Sequence, residues 1–140
     1  MLPEVVKLHP PATHFAIAMP VALLLIEALY RRMKREPDVI HEVFTHISFL
    51  SVLLASLTGF IAHEPLEERL KQVPVFSAHE ILGFSLPFLF LVISAIRLFK
   101  RKDFSGMVRN VYFLLLLLGV FLIFLQGRLG GKIVYEYLIE

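Results

Sequence analysis

Leu8-His9-Pro10-Pro11-Ala12-Thr13-His14-Phe15 runs without a break into an apolar segment that ends near Tyr30. Prolines are tolerated in the first turn of a helix, where no intrahelical N–H bond is lost. The stretch therefore reads as a helix entry, with an ionisable imidazole at the mouth of a hydrophobic span. The basic cluster Arg31, Arg32, Lys34 and Arg35 follows the apolar run. A cleaved signal peptide carries its positive charge before that run, so this segment is expected to stay as a membrane span.

Working outward, the same pattern recurs. The chain has 140 residues, 57% of them hydrophobic, and a mean hydropathy of +0.74. Spans are expected at about residues 13–30, 43–62, 78–99 and 111–126, each near the ~20 residues a bilayer requires. Asp38, after Glu36-Pro37, is an expected N-cap for the second helix. Residues 64–72, EPLEERLKQ, place acids first and bases last, as a short surface helix would along its dipole. Pro20 and Pro87 lie inside spans one and three, where kinks are expected. The expected fold is an all-α, integral membrane four-helix transmembrane bundle, a single domain over residues 1–140 lying in the lipid bilayer.

Charge sets the expected orientation. The loops 31–46 and 97–110 hold nine of the 14 Lys and Arg residues, and the opposite face holds Lys7, Arg69, Lys71, Arg128 and Lys132. Positive charge stays inside, so both termini are expected outside in a multi-pass protein of the inner (cytoplasmic) membrane. A net charge of only +2, in short clusters beside apolar runs, argues for topology and against nucleic-acid binding. The absence of cysteine excludes disulfides, thiolate metal sites and cysteine catalysis.

On that topology His9, His14, His63 and His79 share the outer side. Ionisable residues at membrane helix ends are functional candidates. Ala18 lies one turn beyond His14 and Gly83 one turn beyond His79, leaving room on each helix face for something flat. Neutral imidazole is a common axial ligand of haem iron. The expected cofactor is therefore haem b, ligated by His14 and His79, with His63 as substitute or supporting partner. Arg69, Lys71, Arg128 and Lys132 are on the side where propionates would sit. The alternative is a transition-metal ion held by His63, Glu64, His79 and Glu80, because imidazole with carboxylate suits zinc, iron or copper. No catalytic residue is assigned. His63 to Arg69 reads HEPLEER and lacks the second histidine of HExxH, and no nucleophile triad is visible. Deeper in span one, Glu27 needs a partner, and Arg97 is the expected one. His41 and His46 fall on the inner side.

Four stretches resemble a family of predicted bacterial membrane proteins classed as a domain of unknown function. LHPPATHFAIAMP is similar to its His-Pro…His-Phe-Pro-Ile-Ala entry, and GFIAHEPLEERL to a Gly-x-x-Ala-x-Glu…Glu pattern. AHEILG and GRLGGKIVY, the latter similar to a Gly-Gly-x-Leu-Val-Tyr end, complete the set. The chain lacks the proline after His14-Phe15 and ends YEYLIE in place of His-Gly. The resemblance implies a four-helix membrane domain, joined in some relatives to Rieske or cytochrome c domains, and hence redox work. More loosely, the chain resembles small b-type cytochromes. The expected role is electron transfer between a quinol or membrane partner and an outer carrier, as a homo-oligomer or a subunit of a larger complex. Hydrolase or transferase chemistry is not expected. A non-catalytic subunit of a membrane complex is the other class in view.

Overall fold

A computed structural model describes residues 7–138; Pro3 and the end of the YEYLIE tail lie outside this range. The long helices are α1 (His9–Arg32), α2 (Val39–His63), α4 (Phe76–Phe99) and α5 (Gly106–Lys132), with a short α3 (Glu67–Leu70) between α2 and α4. Each of the four long helices, α5 with its continuation Ile133–Leu138, is long and apolar enough to cross a membrane. The surface helix expected over 64–72 is a 3-10 turn, Glu64–Leu66, followed by α3. Around the bundle α1 packs on α2, α2 on α4, α4 on α5, and α5 back on α1.

The bundle's outward faces carry exposed Phe, Leu and Ile, Phe88 and Phe121 among them. In water this would be an unstable surface; in a bilayer it is the lipid-facing one. The interior is narrow. Leu23, Phe90, Ile93, Tyr112 and Leu116 are wholly buried, and Ala12, Ala16 and Ala55 let α1 and α2 approach closely. A second cluster caps one end: Leu70, Val73 and Phe76 pack with Ile133 from beyond α5.

Asp38 caps α2 as the sequence suggests. Its Oδ1 accepts from the backbone N–H of Ile40 and His41 at 3.0 and 3.2 Å, and the carboxylate also accepts from the Tyr30 hydroxyl and from Arg35. Desolvation raises its pKa, but the His41 N–H bond, the Tyr30 bond and the Arg35 charge outweigh that and hold it below the usual carboxylate range. A depressed folded-state pKa contributes stability above the unfolded value of about 3.9 and loses it as pH falls through the folded one. Asp38→Ala is therefore expected to lower the thermal midpoint at pH 7 and to match wild type more closely as acid protonates the carboxyl. A midpoint difference that does not change with pH would mean the charged cap contributes nothing.

Candidate functional site: an imidazole cluster at one end and an ionic network at the other

Each end of the bundle gathers polar groups on its inward face. At the capped end three helices each contribute an imidazole. The His9 and His63 ring centres are 6.3 Å apart, and those of His63 and His79 are 5.6 Å apart. Phe76 closes over His63 at 5.2 Å. Two of these rings sit where a glycine opens space. A Cβ on Gly59 would come within 2.8 Å of His9 Cε1, and one on Gly130 within 3.0 Å of His79 Cε1. The glycines of the GFIAH and GRLGGK stretches are thus seats for histidines on neighbouring helices.

A hydrogen bond holds the His9 ring in place. The Thr58 hydroxyl donates to the Leu54 or Ala55 carbonyl. Its oxygen stands 3.1 Å from His9 Nδ1, a hydrogen bond that ties the ring of α1 to α2. His79 is 8% exposed, its Nδ1 is buried without a hydrogen bond, and the Gln126 backbone carbonyl lies close to the ring. Gln126 Oε1 is a second buried atom without a partner.

The other sequence candidates are placed as follows. His14 is exposed and donates from Nδ1 to the Pro10 carbonyl of its own helix at 2.6 Å. It stands outside the ring contacts that join His9, His63 and His79, so the structure does not bring it to His79. Ala18 is exposed. Gly83 faces Gln126, with 3.3 Å from a would-be Cβ to the amide nitrogen, and its carbonyl accepts from Ser56 Oγ. It lines a groove of about 320 Å³ between α2 and α4, walled by Phe49, Phe60, Phe84 and Phe88. Glu64 and Glu80 are exposed. Lys71 pairs with Glu67 and Lys132 with Glu136. Among the described residues no three His, Asp or Glu side chains stand ready around one ion.

At the opposite end the expected Glu27–Arg97 pair is replaced by a longer network. Glu27 is fully buried and is held by Arg31 at 2.6 Å and by Arg109 at 2.9 and 3.2 Å. His41, also fully buried, comes between Glu27 and Arg97. Its Nε2 stands 3.1 Å from Glu27 Oε2, near in distance but off the line a hydrogen bond needs. Arg97 Nε donates to His41 Nδ1 at 3.4 Å. Arg97 also lies 3.4 Å from Glu42 and donates to the Asp38 carbonyl. Tyr112 and Thr45 share a hydroxyl hydrogen bond beside His41. Four helices are joined here through charge, and an ion pair needs such added hydrogen bonds to survive burial.

The chain belongs to the family of predicted membrane proteins DUF2231. The family model matches residues 6–140, so the kinship spans both polar ends and all the helices. No curated protein and no solved structure matches the chain.

Proposed function

We propose that this DUF2231 protein is a membrane redox component with an imidazole-ligated transition-metal centre at its capped end. The observation that carries the reading is the convergence of His9, His63 and His79 from three helices under an apolar lid. Neutral imidazole suits iron, copper and zinc, and a bound iron or copper supplies one-electron chemistry. The metal is carried either as haem b or as a bare ion. His79 belongs to both forms, because its buried Nδ1 is unsatisfied and its ring is locked on Gly130. A haem clamped between His14 and His79 does not fit the placement of His14, which faces away on a hydrogen bond to its own helix; its opposite ligand would come from His63 or His9. Thr58 orients the His9 ring, and Phe76 with Leu70 and Val73 keeps water from the cluster. Electrons pass between a membrane quinol and a carrier outside the cytoplasmic membrane, with both termini on the carrier's side, as the nine-to-five split of basic residues supports.

An absorption spectrum of the protein made with ample haem tests this. A Soret band that is lost in His79→Ala and unchanged in His41→Ala is the expected result for the haem form. If His14→Ala abolishes the band while His63→Ala leaves it, His14 is the second ligand after all. A colourless protein that also takes up no transition metal would end the redox reading.

The arginine-end network favours a second reading, a non-catalytic subunit of a larger complex. Buried charge that ties four helices together makes a rigid scaffold. Such a subunit would show neither colour nor metal.

A further inference from the structure

The geometry points to a three-imidazole site for a bare borderline transition-metal ion, zinc or copper in class, on His9, His63 and His79. This rests on the metal-centre reading above and commits it to the bare-ion form, in which copper would carry the electrons and zinc, which has no redox chemistry, would only fill the site. A tetrahedral ion bonds each imidazole nitrogen at about 2.0–2.1 Å, which sets ligand ring centres roughly 5 Å apart. The His63–His79 and His9–His63 separations are 5.6 and 6.3 Å, each within about 1 Å of that value, with His63 the ring common to both pairs. A porphyrin, by contrast, has to lie flat between two imidazoles, and here the rings already touch each other and Phe76.

Three further observations agree. Thr58 Oγ1 holds His9 Nδ1 at 3.1 Å, an outer hydrogen bond of the kind metal-binding histidines generally have. The His79 Nδ1 is buried without a partner, an expense a ligand would remove. Gly59 and Gly130 admit two of the rings where any side chain would exclude them. Three protein ligands leave the fourth position of a tetrahedral ion open, as in catalytic and exchange sites. Among the described residues no three such side chains stand around one point in the present arrangement, so binding has to draw His9 and His79 together around His63.

The test is Co²⁺ and Zn²⁺ binding to the full chain in lipid nanodiscs, with Co²⁺ read by its visible absorption and Zn²⁺ by competition. The expected result is one ion per chain with the intense visible bands of tetrahedral cobalt. His63→Ala and His79→Ala should each weaken binding by more than tenfold, and His14→Ala and His46→Ala should leave it unchanged. Thr58→Val keeps the side-chain volume and guards against misfolding as the explanation; losing the hydrogen bond that orients His9 should weaken binding ~10–100-fold. Binding that survives His63→Ala, or that falls with Glu64→Gln and Glu80→Gln instead, overturns the three-imidazole site. Haem uptake without ion binding overturns it too, while leaving the redox reading in place. If neither haem nor ion binds, both fall.

Discussion

Glu27→Gln is expected to lower the unfolding free energy by about 3–5 kcal/mol, the usual result of leaving a buried charge without its partner. Glu27 has no exposed surface, and it is the only acid within reach of Arg109 among the described residues. Arg109 is itself largely buried, at 12% side-chain exposure, whereas Arg31 at 28% can turn partly toward headgroups. The amide keeps the shape of the carboxylate but brings two hydrogens to a place already crowded with guanidinium donors. Adding Arg109→Gln should recover a substantial part of the loss, because the second change removes the stranded charge. Adding Arg97→Gln should simply add its own cost, since His41 lies between the two and Arg97 pairs with Glu42. Unfolding in mixed micelles measures all of these. Strong coupling to Arg97 with none to Arg109 would refute the network.

Gly119→Val should cost about 1–3 kcal/mol through overpacking. A Cβ there would stand 2.9 Å from two atoms of the Phe90 ring. Phe90 is wholly buried between α4 and α5 and cannot swing out, so the helices must part. Close helix approach is a main source of attraction in lipid, where the hydrophobic effect gives no drive for helices to associate. Shortening the obstacle with Phe90→Leu should return part of the loss. Gly131→Val is the control, because nothing lies within 4 Å of a Cβ at that position. Equal effects at positions 119 and 131 would point to helix propensity as the cause.

The sequence held more about the site than charge-counting took from it. Glu27 cannot face lipid, so it marks the inward face of α1. Counting back eighteen residues, five turns at about 3.6 residues each, arrives at His9. His14 lies on another face of the same helix and is exposed. The same interval links Arg97 to His79 on α4, and both are buried. Each of these helices therefore carries an imidazole at one end of its inward face and a charged residue at the other, a relation readable in advance from helical period alone. Arg109 was harder to read. It looks like one more loop cation until its place one turn before Tyr112 puts it on the face that α5 buries.

The sequence by itself determined the four membrane helices, because crossing a bilayer needs only enough consecutive apolar residues with their backbone bonded internally. It also determined the Asp38 cap, a contact made within three residues. Only the tertiary structure decided which histidines meet, which glycines seat them and which arginines hold Glu27. Those outcomes depend on how each helix is rotated about its axis and which neighbour it faces. Close packing of Ala12, Ala16, Phe90 and Gly119 sets those rotations, and that is a property of all four helices together, which no single helix's pattern contains.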